Sequence, residues 1–143
     1  MTRLQLVWLH LAVALTAVTG VVFAVMKYLM KSADEFSVVN HPLQPYMLAA
    51  HVVVAPVLLF VLGWTFSNHM LPKVRYGNER NRRTGVGGML LIVPMTLSAY
   101  LLQVSTNETL RAAMAGAHGI SSAAFLLAYL IHLLNGRSGS ANA

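Results

Sequence analysis

Six histidines, His10, His41, His51, His69, His118 and His132, are the side chains of this 143-residue chain best suited to chemistry. Cysteine is absent, which excludes disulfides, thiolate metal sites and iron–sulfur clusters and leaves imidazole as the obvious ligand type. An imidazole can ligate a metal, relay a proton or simply hydrogen-bond a neighbour. Four of the six, His10, His51, His118 and His132, fall inside long apolar runs. There a polar group is expensive, and a functional role is the default reading. The plainer alternative is that each bonds an adjacent helix and does nothing more.

The elements that must position them are transmembrane helices. Hydrophobic residues make up 57% of the chain and charged residues 10%, against about 25% charged in soluble domains. The apolar residues come in runs near the ~20 residues needed to cross a bilayer, without the period-two alternation of a β-barrel. The formal charge of +6 does not mark a nucleic-acid binder, because the basic residues lie in the gaps between those runs.

The pattern predicts an all-α, four-helix transmembrane bundle in a single membrane domain over 1–143. Its helices cover about 4–30, 45–70, 86–104 and 109–135, followed by a short mobile tail over 136–143. Pro45 suits a first helical position, and Pro72 is expected to stop the second helix. Gly85, Gly87 and Gly88 lead into the third helix, which Pro94 is expected to kink. Polar residues 106–109 offer caps for the fourth, and Asn135-Gly136 an end. A cleaved signal peptide is the rival for residues 1–30, but the run is longer than a typical 7–15-residue signal core and shows no clear small-x-small cleavage site.

Seven basic residues, Arg3, Lys73, Arg75, Arg80, Arg82, Arg83 and Arg137, fall on one side of this arrangement. Three, Lys27, Lys31 and Arg111, fall on the other, near Asp34, Glu35 and Glu108. The imbalance predicts a multi-pass protein with both termini and the Lys73–Arg83 loop on the cytoplasmic side.

Depth then sorts the histidines. His118 and His132 are 14 residues apart on the fourth helix, which returns to within about 40° of one face and separates them by about 21 Å. His51, about six residues into the outward-starting second helix, is level with His118. His10, about six residues into the first helix, is level with His132. Each level offers two imidazoles and no carboxylate or thiolate, too few ligands for structural zinc. Two imidazoles across a gap are what a haem needs, since the porphyrin supplies the other four nitrogens. Ala14, Ala55, Ser122 and Ala128, one turn from the respective histidines, leave room for a flat ring, as do Gly116 and Gly119 beside His118. Small residues also serve close helix packing. The third helix carries no histidine and is expected to complete the bundle, with Tyr100 and Gln103 as candidate pocket residues.

One histidine on each of the first two helices and two spaced by 14 on the fourth resemble the di-haem cytochrome b subunits of formate dehydrogenase and nickel–iron hydrogenase, within the bacterial cytochrome b561-like group. The likeness covers about residues 5–135. It implies that His51 pairs with His118 at the outer haem iron and His10 with His132 at the inner. The family's first helix usually reads His-Trp with a glycine about 14 residues on, whereas this chain reads Trp8-Leu9-His10 with Gly20 ten residues on. His69 is the alternate for His10. It lies 18 residues from His51, five turns and so on the same face, as in the cytochrome b of quinol-oxidising complexes, though Asn68 and Pro72 put it at the membrane edge.

The expected function is electron transfer across the membrane by two haem b groups, between a periplasmic or membrane redox partner (a c-type cytochrome or dehydrogenase subunit) and the quinone pool. Quinone is a further candidate ligand, and an oligomer a further candidate state. His41 is expected at the surface or beside a quinol or partner. Lys27, Lys31 and Arg111 outside, and Arg3, Arg83 and Arg137 inside, are candidate partners for haem propionates. Rival readings are a stand-alone b561-type quinone or superoxide oxidoreductase, a non-haem proton or metal relay, and a structural assembly factor. For topology, alkaline phosphatase fused after Ser37 should be active, and fused within residues 73–83 inactive; the reverse pattern would invert the orientation.

Overall fold

A computed structural model describes residues 1–143 apart from 33, 77–78 and 141–143, with the side chains of 79–80 and 136–140 also outside the description. Its elements are α1 (Arg3–Tyr28), α2 (Gln44–Thr65), a π-helical turn (Phe66–Met70), α3 (Leu71–Tyr76), α4 (Glu79–Val104) and α5 (Glu108–Ser140). Four stretches are long and apolar enough to cross a membrane: Arg3–Tyr28, Gln44–Tyr76, Asn81–Val104 and Glu108–Asn135. The all-α, four-span architecture expected from the hydrophobic runs is therefore present.

The chain falls into two compact units, Met1–His69 and Met70–Ala143. In the first, α1 packs on α2. The Thr2 hydroxyl accepts from the Gln5 backbone N–H at 3.2 Å, and the Gln5 side chain accepts from the Thr2 N–H at 3.0 Å, a reciprocal cap that starts the helix. The Gln5 amide also donates to the Trp64 carbonyl of α2 at 3.4 Å. That contact satisfies a polar side chain that is only 2% exposed. Leu9, Ala12 and Val13 continue the same stripe of α1, and Leu58, Val61 and Leu62 provide the buried side of α2.

In the second unit α4 packs on α5, with α3 against α4. Asn107 caps α5 by accepting from the Leu110 N–H at 2.9 Å, as the polar run 106–109 suggested. Arg111 reaches back to the end of α4, donating through Nη1 to the carbonyls of Leu102 (2.7 Å) and Ser105 (3.2 Å). It thereby satisfies C-terminal carbonyls that the helix leaves open. The large side chains on the outer faces, such as Val53, Phe60, Leu90 and Ile120, are exposed, as lipid contact requires.

Three boundaries differ from expectation. Pro72 does not stop the second helix, which runs on through Tyr76. A proline ring clashes with the carbonyl four residues back, here Asn68, and the wider π turn just before Pro72 relieves that conflict. The third helix begins at Glu79 rather than near 86. The fourth continues past Asn135-Gly136 to Ser140, because no described glycine adopts the positive φ of a helix-ending cap. The end of the expected tail, residues 141–143, lies outside the described residues. Replacing Gln5 with Ala removes the side-chain half of the cap and the contact to Trp64. It should cost about 1–3 kcal/mol, read as an earlier thermal unfolding transition in detergent; an unchanged transition would show that the contact contributes nothing.

Candidate functional site

Three of the four intramembrane histidines are held in the same way. In the first unit the His51 Nδ1–H donates to the Thr16 carbonyl of α1 at 3.1 Å. The Thr19 hydroxyl lies 3.2 Å from the same nitrogen. That hydroxyl already gives its proton to the Leu15 carbonyl at 2.8 Å, so its oxygen is an acceptor toward His51. Gly20 completes the seat: a Cβ there would stand 2.8 Å from His51 Cε1. The imidazole lies flush against the α1 backbone, and only glycine permits that approach.

In the second unit α5 turns two histidines toward α4. His118 Nδ1–H donates to the Met95 carbonyl at 2.9 Å. His132 Nδ1 lies 3.1 Å from the Thr84 hydroxyl. The Thr84 hydroxyl also lies 3.1 Å from the Asn81 carbonyl, so toward His132 it serves either as acceptor or as donor, according to the tautomer. Gly85 lies alongside, where a Cβ would come within 3.5 Å of His132 Cε1. Both α5 histidines therefore face one neighbour, as their spacing of 14 predicts.

The carbonyl partners of His51 and His118 place a proton on Nδ1. A neutral imidazole with its proton on Nδ1 carries its lone pair on Nε2, the arrangement of a metal-ligating histidine whose other nitrogen is bound to a carbonyl or hydroxyl. His41 is the opposite case. Its Nδ1 accepts from the Leu43 N–H at 3.1 Å, and its carbonyl accepts from the Gln44 N–H at 2.9 Å. It shapes the turn leading into α2.

Buried polar atoms lead to the same places. Among the described residues, those without a hydrogen-bond partner are Thr16 Oγ1, Asn81 Oδ1 and Thr96 Oγ1. Thr16 supplies the acceptor for His51, Asn81 supports the partner of His132, and Thr96 follows the acceptor for His118. Buried polar groups are normally satisfied. Three exceptions beside three anchored imidazoles suit positions where a further polar group completes the site.

His10 is half-buried on α1. The antiparallel contacts Gln5 to Trp64 and Thr16 to His51 place His10 opposite about residue 59 of α2. That is roughly eight residues, or ~12 Å along the helix, from the level of His51. The two first-unit histidines thus occupy separate depths. His69 lies within the π turn. Its residues advance less per step than α-helical ones, so the five-turn argument that put His69 on the His51 face no longer holds. The pairings His51/His118 and His10/His132 are part of the proposed function.

The small residues singled out beside the histidines differ in setting: Ala14 is exposed, whereas Ala55, Ser122 and Ala128 are half-buried. A Cβ at Gly116 or Gly119 would meet nothing within 4 Å. Tyr100 is exposed, and the Gln103 amide donates to the Ala99 carbonyl of its own helix at 3.4 Å. Lys27 sits over the rings of Phe23 and Tyr28 at 5.7 and 5.5 Å, and Arg111 is engaged with the end of α4. The Arg137 side chain lies outside the described residues. Thr16, Thr19, Gly20, Thr84 and Met95 were missed from sequence. Gly20 and Thr84 stand out only once a facing histidine is known, and a backbone carbonyl such as that of Met95 leaves no trace in a sequence. Among the described residues no three His, Asp or Glu side chains gather as a metal site built from protein alone would require. No family model, characterised protein or solved structure matches the chain.

Nitrogen NMR of the histidine side chains should show Nδ1–H tautomers for His51 and His118 and a single, hydrogen-bonded tautomer for His132. Thr84→Val should release His132 into a tautomer mixture while leaving His118 unchanged. Gly20→Val should displace His51 at a cost of about 1–3 kcal/mol. An unaltered His132 signal in Thr84→Val would refute the anchor.

Proposed function

We propose that this chain is a di-haem b-type membrane cytochrome of cytochrome b561-like character, carrying electrons between a periplasmic redox partner and the quinone pool of a bacterial inner membrane as a subunit of a larger oxidoreductase. His51 and His118 would ligate the outer haem iron, and His10 and His132 the inner, with His69 the alternate to His10. The observation that carries this reading is the shared anchoring of His51, His118 and His132, each through Nδ1 to the neighbouring helix of its own hairpin.

The residues fit such a group on three counts. The ligands are imidazoles alone, and a porphyrin needs only axial donors from the protein. Each anchored ring is oriented by a main-chain carbonyl or a threonine, which also makes it a stronger donor to iron. The buried, unpartnered oxygens belong to a residue that anchors a histidine (Thr16), to the residue after one (Thr96) and to the residue whose carbonyl faces one (Asn81), and a bound group would offer them a neighbour. When bound, the haems supply one-electron redox chemistry. The chain's own work is to hold imidazoles at two depths, keep their rings oriented and exclude water. Gly20 lets His51 sit close to α1, and the apolar helix faces keep the surroundings at low dielectric, which tunes haem potential.

Membranes from haem-sufficient cells should show a Soret band, a reduced α-band and two haems per chain. His118→Ala should retain one haem and His41→Ala both. Absence of both bands would leave the proton-relay or structural reading, and two haems in His118→Ala would refute the pairing. Quinol-dependent reduction of the purified chain without a partner would assign it as a stand-alone oxidoreductase.

A further inference from the structure

A groove of about 510 Å³ lies in the second unit, lined by Val74 of α3 and by Arg82, Arg83, Val86, Gly87 and Leu90 of α4. Its volume falls within the roughly 300–1,000 Å³ of small-molecule sites. Neither the histidines nor their anchoring residues form part of it.

The groove has a polarity gradient along the helix axis. Arg82 and Arg83 are exposed at the beginning of the span Asn81–Val104, where a transmembrane helix meets the headgroup region. Val86 and Gly87 lie one turn further in, and Leu90 a turn beyond. From Arg82 to Leu90 the rise is ~12 Å, from the interface into hydrocarbon. Gly87 keeps the channel open, since a Cβ there would meet nothing within 4 Å. Leu90 is 68% exposed and offers an apolar wall. Val74, on the last turns of the span Gln44–Tyr76, closes one side.

Two guanidiniums at the mouth and an aliphatic slot beneath match one kind of molecule in charge and in polarity order. We infer that this groove binds an anionic phospholipid, with its phosphate between Arg82 and Arg83 and the start of an acyl chain along Val86, Gly87 and Leu90. Guanidinium pairs phosphate through parallel hydrogen bonds. Basic recesses between transmembrane helices at the interface recognise anionic headgroups by the same chemistry. A soluble phosphate would use only the mouth, and a neutral quinone only the slot. The two together specify the lipid.

The test uses the full-length protein in nanodiscs containing phosphatidylglycerol and phosphatidylcholine, with bound lipid counted by native mass spectrometry. The wild type should retain phosphatidylglycerol preferentially. Each arginine contributes roughly five-fold, so R82Q/R83Q should bring the two lipids close to parity. Gly87→Leu, which keeps both charges but fills the slot, should also reduce phosphatidylglycerol retention. Equal retention of the two lipids by the wild type would overturn the proposal, as would an undiminished preference in R82Q/R83Q. Displacement of the lipid by millimolar inorganic phosphate alone would make this a free-anion site, and displacement by ubiquinone a quinone site; either result also refutes it. Because both arginines are exposed, the double variant should fold, and its unchanged helical circular dichroism would confirm that. Because Arg83 is also a candidate propionate partner, haem content is measured alongside, and loss of haem with an undiminished phosphatidylglycerol preference would assign the arginine to haem and overturn the lipid site.

Discussion

Inside a bilayer no water compensates a polar group, so each imidazole placed there must find its partner in protein. That requirement shapes this molecule more than any other. His51 and His118 meet it by giving their Nδ1 protons to carbonyls on the neighbouring helix of their own hairpin, and His132 meets it through a hydrogen bond between Nδ1 and the Thr84 hydroxyl. The helices are drawn together at these points: α1 approaches α2 closely enough to need a glycine, and α4 presents a threonine and a main-chain carbonyl to α5. Ring orientation and local helix spacing follow from these hydrogen bonds through Nδ1.

The polar requirement also accounts for features away from the histidines. Gln5 closes its own helix start and reaches the Trp64 carbonyl, so a buried amide is used at both ends. Ser98 and Ser121 are buried but donate to carbonyls of their own helices. Arg111 satisfies the carbonyls at the end of α4. Even the π turn belongs here, since it absorbs Pro72 without ending a helix that spans Gln44–Tyr76.

Much of this was legible in the sequence because hydrophobicity and spacing are linear properties. Four apolar runs announced four helices, and 14 residues between His118 and His132 announced a shared face. The cap at Asn107 was visible as a polar residue ahead of a run. Boundaries were less legible, because a proline or glycine signals a stop only when no compensating geometry surrounds it. Pro72 has a π turn before it, and Gly136 is held in continuing helix. The partners of the histidines were least legible of all. Pairing of Thr84 with His132, or of a Met95 carbonyl with His118, depends on contacts 48 and 23 residues apart, and nothing local marks them. The third helix, read as plain packing for want of histidine, provides the partners for both histidines of the fourth.

The seat of His51 also dictates how freely the chain can vary. At position 20 even one methyl group would come within 2.8 Å of an imidazole carbon, whereas at position 85 it would rest at 3.5 Å and at 63, 87, 88, 116 and 119 it would meet nothing. Glycines that look alike in the sequence thus differ in their tolerance of replacement. Position 85 has room for alanine, and the other five have open space. Position 20 has room for none of the nineteen alternatives while His51 keeps its place, so what position 20 tolerates is set by a residue 31 positions away in the chain.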